Sequence, residues 1–423
     1  TEICDGKDNN CNKDIDEGAC DCSIELRLNS SANAANGNLS HNQELFTNRG
    51  TGLSTSITLY YNSLYSGSDH LGKGWTHTYE ITLKEFSDGS ILFREGNDRK
   101  LYVFSNGSYV NQAGDYSTLI KTTDGSYILA KKDGTKYTFD TSGKLTKIED
   151  RLANTMTFAY TEQVLTEITD SVGRKTILSY DSNNRITGIT SNTSTSTFTY
   201  NSLDYLTSVT DSAGYSWTYT YDTNGRMLTK SDTEGNVVTY AYDSDGRIIS
   251  STDSTGKTKT ISYTSPLGGE GGVRGTATVT EQDGGVWSYT YDSANGTLTQ
   301  KTDPQSNTTT YQYDTNRNLT KETAPDGSIT TYTYDTQGNM IGQTDGAGNT
   351  TTYTYNSYGQ TTSIKDPQNN VTYYSYDTYG NLTSVTDLSG GITQFNYDSK
   401  GNITRITAPN GGVTVYEYDT YNN

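Results

Sequence analysis

The sequence predicts an all-β protein whose larger part is one continuous antiparallel ribbon of stacked hairpins. Three observations carry that prediction. Aromatic residues recur on a 21-residue register, an Asp/Gly turn signal follows each of them, and 36 tyrosines stand in a chain whose hydrophobic content is only 31%.

The unit is clearest over residues 372–387. Tyr374 and Tyr376 alternate with polar residues, so both rings leave the same face of a strand. Asp377 can accept from its own backbone two residues on, and Gly380 tolerates positive φ. Asp-x-x-Gly therefore reads as a short hairpin loop with one left-handed residue. Leu382 and Val385 fall on the returning strand, and Asp387 with Gly390 turns the chain into the next hairpin.

The second aromatic of each pair falls at Tyr221, Tyr242, Tyr263, Tyr291, Tyr313, Tyr334, Tyr355, Tyr376, Tyr397 and Tyr418, with Phe139, Tyr160, Tyr180 and Tyr200 upstream. Most spacings are 21 residues; the longest, from 263 to 291, is 28. Four residues after the aromatic comes Gly143, Gly225, Gly246, Gly338, Gly359, Gly380 or Gly401. Asn184 and Asp204 replace it at two sites, the residue types that best tolerate a left-handed backbone. Arg317 is the misfit. The repeat does not by itself fix the curvature of the ribbon.

Aliphatic side chains are scarce, which argues against a conventional sandwich with two filled apolar faces and for one buried face covered by stacked tyrosines. The net charge of −18 comes without any Lys/Arg stripe, so nucleic acid is not an expected partner. No apolar run approaches the ~20 residues of a membrane span.

In chain order, residues 1–22 form a small Cys-rich acidic module. Cys4, Cys11, Cys20 and Cys22 are the only cysteines. So short a segment has no core and needs disulfides or a metal. Four cysteines allow three connectivities; a Cys20–Cys22 bridge is the strained one. Disulfides place the module in an oxidising compartment. Asp8, Asn10, Asn12, Asp14 and Asp16 alternate, with Glu17 beside them, the oxygen-rich pattern a hard cation takes. Calcium is the expected cofactor. Copper lacks a His or Met nearby, thiolate zinc suits neither the oxygens nor the spacing, and a solvated acidic loop held by disulfides is the alternative. The stretch resembles the Cys-Asp-Gly-x-Asp-Asn-x-Cys…Asp-Glu-Gly metal-binding motif family, which implies Asp8, Asn10, Asp16 and Glu17 as ligands. Lys13 and Ala19 depart from the calcium-loop pattern, which has Gly and Glu there.

Residues 23–110 are β-rich but aperiodic, with alternating runs at 57–61 and 79–83 and turns at Asn36-Gly37-Asn38, Asn48-Arg-Gly50 and Asp88-Gly89. Residues 111–423 hold the repeat array, entered through Asp124-Gly125 and Asp133-Gly134. It is interrupted by a Gly-rich insertion at 265–275 that reads as a flexible protruding loop. The chain opens at Thr1 and stops at Asn423 within a repeat, so a piece of a longer protein is expected.

Asn36-Gly-Asn-Leu39, Tyr61-Asn-Ser63, Leu71-Gly-Lys-Gly-Trp75 and Ser87-Asp-Gly-Ser90, followed by the Tyr-Asp repeats, resemble the Rhs/YD-repeat family with its N-terminal domain. The resemblance spans roughly residues 30–423. It implies a ribbon that spirals into a hollow shell or tube, with residues 30–110 as an N-terminal β cap.

Few residues suggest chemistry. The repeated aspartates would sit ~9–10 Å apart along a ribbon, too far to share one ion, so they read as turn caps. His41, His70 and His77 have no Cys or Ser motif nearby and read as surface or hydrogen-bonding residues. Trp75, Trp217 and Trp287 read as packing residues, with sugar stacking as the rival. Asp303-Pro304 and Asp366-Pro367 lack the Gly-Leu that follows the cleavage dipeptide of some Rhs proteins.

No acid–base pair, nucleophile motif or phosphate loop marks an enzyme. The expected function is therefore an extracellular or cell-surface scaffold for encapsulation, adhesion or filament formation. The alternatives are the shell of a secreted polymorphic toxin and a carbohydrate-binding adhesin. Self-association through edge strands and a surface glycan are the expected partners.

Overall fold

A computed structural model of the chain describes residues 23–418, except 26–29, 35, 49–51, 66, 97, 112–114, 265–266, 269–271, 274 and 293–295. Asp8, Asn10, Asn12, Asp14, Asp16 and Glu17, and the four cysteines, lie outside the described residues, as does most of the 265–275 insertion. Of that insertion, Leu267–Gly268 pairs with Gly272–Val273 as a small hairpin.

A single antiparallel sheet of 29 strands runs from Thr118–Lys121 to Val413–Val415, each strand bonded to the next in sequence. Every repeat contributes two strands, a turn after the second aromatic and a turn after the returning strand. The first kind of turn lines one long edge of the ribbon, here the upper rim; the second lines the lower rim.

A β-bulge recurs where the second aromatic of the pair stands, though not at Tyr263, which faces Ala277 without a shift. Ser375 faces Ser384 and Tyr376 faces Leu382, leaving Thr383 unopposed. The same shift occurs at Tyr160, Tyr221, Tyr242, Tyr334 and Tyr397. A bulge bends its strand and sharpens the right-handed twist, so its recurrence at the same repeat position curves the ribbon the same way along its length.

The curvature brings the ribbon back onto itself. The backbone of Gly338 on the upper rim packs on Tyr116, so a methyl group there would collide with the phenol. Gly359 lies on Lys132, Gly380 on the Arg151 guanidinium and Gly401 on Leu152. The Arg151 guanidinium also sits over the Tyr358 ring, 5.6 Å from its centroid. Upper-rim turns of the later repeats thus rest on lower-rim turns of the first ones. About twenty strands at ~4.8 Å give a circuit of roughly 100 Å and a diameter of about 30 Å.

Residues 30–111 fold into two smaller sheets that lie along the inner face of the early ribbon. One contains Ser30–Asn33, Leu39–Thr47, Ser56–Asn62 and Trp75–His77; the other contains Ile81–Glu85, Ile91–Glu95, Asp98–Ser105 and Ser108–Val110. Leu39, Ile57, Leu59, Trp75, Ile91 and Phe93 are fully buried against Phe139, Ile168, Ile189, Val209 and Met227 of the ribbon. A body of some 80 residues is roughly 30 Å across, while the strands it covers span about 65 Å of contour. The ribbon therefore wraps around it.

The expected N-terminal β cap packs along the inner face of the early ribbon, as a plug in its lumen. One expectation is corrected here. Over these repeats the tyrosine face is buried by the plug's sheets, as in a sandwich, and not by tyrosines stacked on one another. Equivalent rings in successive repeats are two strand spacings apart, too far to touch.

Candidate functional site: the inner face of the ribbon

The inner face has a covered and an uncovered part, built from the same repeat positions. One inward position carries the first aromatic of each pair, and another carries its cross-strand partner. Over the plug these are Phe158 with Ile168, Leu178 with Ile189, Phe198 with Val209 and Tyr219 with Lys230, all buried. Further on they become Tyr353 with Ile364, Tyr374 with Val385 and Phe395 with Ile406, all only partly buried because no plug strand lies across them.

The second aromatic ties one repeat to the one before. The hydroxyl of Tyr221 donates to the Leu206 carbonyl at 2.6 Å, that of Tyr242 to Met227 at 2.9 Å, and that of Tyr376 to Thr361 at 2.8 Å. Each acceptor immediately precedes the unopposed residue of a bulge, where the ladder is locally disrupted and a side-chain donor is of use. This explains why the position is tyrosine rather than phenylalanine. Burial pushes the phenols of Tyr221, Tyr242 and Tyr263 upward, so they stay protonated donors.

The aspartates that follow close the upper-rim turns. Asp377 Oδ1 accepts from the N–H groups of Tyr379 and Asn381, both at 2.9 Å, and Oδ2 accepts from Asn381 Nδ2 at 2.8 Å. Asn184, Asp204 and Arg317 all take positive φ at the left-handed position, 59°, 64° and 67°. Asp303 and Asp366 close lower-rim turns in the same way.

The early repeats carry Arg where later ones carry Asn. Arg226 Nε donates to Asp222 Oδ2 at 2.7 Å, Nη1 donates to the Asp243 carbonyl of the next repeat at 3.2 Å, and the guanidinium lies 4.9 Å from the Tyr242 centroid. Arg185 and Arg247 stack on Tyr200 and Tyr263 likewise.

The plug engages both rims. The N–H groups of Ile186, Met227 and Ile248, each opening a returning strand, donate to the His70 carbonyl, the Tyr61 hydroxyl and the Gly37 carbonyl at 2.8, 2.7 and 2.9 Å. On the lower rim Ser171 N donates to the Leu53 carbonyl at 3.0 Å. Between the rims Trp75 packs on Tyr219 with centroids 4.9 Å apart, and its Nε1 donates to the Tyr221 hydroxyl at 2.8 Å. Trp75 is thus a packing residue, as the sequence suggests.

The histidines divide. His70 Nδ1 lies 2.8 Å from the Asn184 carbonyl at the upper rim. His41 and His77 are buried. The plug strand Leu39–Thr47 points His41 at the ribbon, where Lys230 Nζ lies 2.9 Å from His41 Nε2 and Ser30 Oγ lies 3.3 Å from Nδ1. Lys230 is itself buried. Sequence reasoning missed this pair, although a signal existed: Lys230 occupies the inward position that holds Ile168, Ile189 and Val209 in preceding repeats. Among the described residues no group of three or more His, Cys, Asp or Glu converges to hold an ion. Among the described residues no helix is long and apolar enough to cross a membrane, which says nothing of a β-barrel.

Family models match most of this architecture. The model described as RHS Repeat matches residues 200–237, 221–258 and 293–329, and the one described as Teneurin YD-shell matches 328–423. The chain is a YD-repeat protein of the Rhs type. The plug of this YD-repeat protein coincides with a third match at residues 30–103, to a Domain of unknown function, DUF6531.

No curated protein matches the chain. Solved structures similar to it include TcdB2-TccC3 without its hypervariable C-terminal region. That match has 14% identity and a TM-score of 0.42 and covers 90% of this chain and 24% of the other. A Photorhabdus luminescens Tc holotoxin pore with a mutant TccC3 matches at 13% identity and a TM-score of 0.41, covering 88% and 22%. The YD-repeat chain thus spans about a quarter of the length of these structures.

Proposed function

We propose that this YD-repeat protein acts by shape, as a β-shell scaffold that encloses space, and carries out no reaction of its own. The observation that carries the reading is the return of the ribbon onto itself around a lumen. The plug fills the first part of that lumen and leaves the inner face open over the last repeats. That open face presents Ile364, Val385 and Ile406 beside Tyr353, Tyr374 and Phe395. Neutral rings and aliphatic side chains can hold an unfolded or extended polypeptide without choosing a sequence.

These inward aliphatic residues favour the toxin-shell form of the scaffold, with a passenger polypeptide against the open face, over adhesion or filament formation, which would use the outer face. Residues such as Thr331, Thr333, Thr352 and Thr354 make that outer face a polar threonine surface. A secreted or cell-surface location accompanies either form.

Single cysteines at an inward and an outward site test the enclosure, in a chain whose Cys4, Cys11, Cys20 and Cys22 are replaced by serine. A small maleimide should label both Tyr353→Cys and Thr354→Cys. A maleimide carried on a folded protein should label Thr354→Cys and react with Tyr353→Cys far more slowly. Equal rates at the two sites would remove the enclosed lumen from the account.

A further inference from the structure

We propose that the lower-rim turn at 150–154 is a latch that closes the shell, and that the shell opens sideways when this turn releases the returning ribbon. The inference rests on the enclosing shell proposed above and adds the place where it opens.

Separate parts of the chain meet on this one turn. Its own geometry is closed from within: Asp150 Oδ1 accepts from the N–H groups of Leu152 and Asn154, both at 2.9 Å, and Oδ2 accepts from Asn154 Nδ2 at 2.8 Å. Arg151 and Leu152 at its tip are left to reach outward. The Arg151 stem crosses Gly134 of the preceding lower-rim turn, and its guanidinium lies over Tyr358 and against Gly380. Leu152 lies against Gly401. Three successive upper-rim turns of the late ribbon thus touch two adjacent side chains. On the other flank, Gly52 of the plug packs on Asn154 and Ser171.

The contact is built to part. Along the ribbon every strand is bonded to the next. Across the seam, among the described residues, no backbone hydrogen bond joins the turns at 335–339, 356–360 and 377–381 to those at 131–135 and 150–154. Closing it buries little apolar surface, since Tyr358 and Tyr379 stay 40% and 54% exposed. Closing also buries Arg151 Nη1 without a protein acceptor, a donor that water satisfies once the rims separate.

Opening breaks no strand pairing. Parting the rims by about 10 Å, spread over about twenty strands, asks about 0.5 Å of each strand pair, which a small change in twist supplies. The turn at 150–154 is where that change is held back, because there the late ribbon is gripped by side chains rather than merely rested on.

The test uses the chain with its four native cysteines replaced by serine and a maleimide carried on a folded protein. Arg151→Ser and Leu152→Ser are the latch variants, and either suffices should the other fold poorly. Gln368→Ser, on an exposed lower-rim turn, is the control. Each latch variant should speed labelling of Tyr353→Cys by about tenfold and leave Thr354→Cys unchanged, with hydrogen-exchange protection of Val371–Tyr376 retained. Gln368→Ser should change neither rate. Protection of Tyr353→Cys that no latch variant relieves, or that the control relieves equally, would overturn the latch and leave the enclosure standing. Faster labelling accompanied by lost protection in Val371–Tyr376 is unfolding and would count against the latch. Equal labelling of the two sites before any latch substitution would remove the enclosure, and the latch with it.

Discussion

The Tyr397 hydroxyl donates to the Leu382 carbonyl, 2.8 Å away and fifteen residues back along the chain. Tyr397→Phe removes the donor and leaves the ring. The expected cost is about 1 kcal/mol, the net worth of one hydrogen bond, with local exchange accelerated at residues 382–384. Tyr221→Phe should cost more, about 2 kcal/mol, because that oxygen also accepts from Trp75 Nε1 in the buried interface. Urea denaturation of both variants checks the order; equal costs would mean the plug adds nothing to the strap.

Gly143 and Gly390 share positive φ, 84° and 81°, but not surroundings. A methyl group on Gly143 would run into the carbonyl of Leu83, a backbone atom of the plug, whereas one on Gly390 meets nothing within 4 Å. Gly390→Ala should cost only the left-handed penalty of roughly 1–2 kcal/mol. Gly143→Ala should cost at least about 2 kcal/mol more and loosen the 81–85 strand, since backbone cannot step aside as a flexible side chain does. Thermal melts of the pair read the difference directly.

Asp140, Asp181, Asp222 and Asp398 titrate below the usual carboxyl range: burial would raise them, but the hydrogen bonds they accept outweigh it. Asp253 is held at about 2, chiefly by the Thr255 hydroxyl. With folded values below unfolded ones, the stability these groups give is whole above about pH 4 and is lost as pH falls below it. Circular dichroism should show the ribbon weakening between about pH 4 and 2. Asp222→Asn should cost about 1–2 kcal/mol at pH 7 and much less at pH 2.

Arg226 joins two repeats through its guanidinium, whereas Asn381 at the equivalent position bonds Asp377 of its own turn. Arg226→Lys keeps the charge but loses the planar fork and the stack on Tyr242. A loss of about 1 kcal/mol is expected. Arg226→Asn, which converts an early repeat into a late one, should preserve the turn and lose the link to Asp243 and the stack on Tyr242. Exchange rates at residues 222–226 and 243–246 separate the two effects.

Much of the ribbon was legible in the sequence because its rules are local. Alternation, turn chemistry and a fixed period determine strands, rims and register, and even the substitutions at Asn184 and Asp204 follow from backbone sterics. Arg317 looked like a misfit by residue type, yet its backbone adopts the same turn at φ 67°. The bulge was invisible because the extra residue is already inside the 21-residue period and shifts no spacing. How the plug lies along the lumen was not legible because its packing on the ribbon depends on residues more than a hundred positions apart, such as Tyr61 with Met227, which no local pattern encodes. His41 and Lys230 were hidden for the same reason: they meet across 189 positions of sequence.

The coiling of the ribbon is tested most directly by one distance. Nitroxide labels at Asp133→Cys and Ser357→Cys, in the chain with its four native cysteines replaced by serine, flank the contact of Tyr358 with the Gly134 turn. Dipolar spectroscopy should find them within about 25 Å of each other, the reach of two labels on touching turns. A ribbon that ran on without returning would hold them roughly 100 Å apart and give no short-range distance at all.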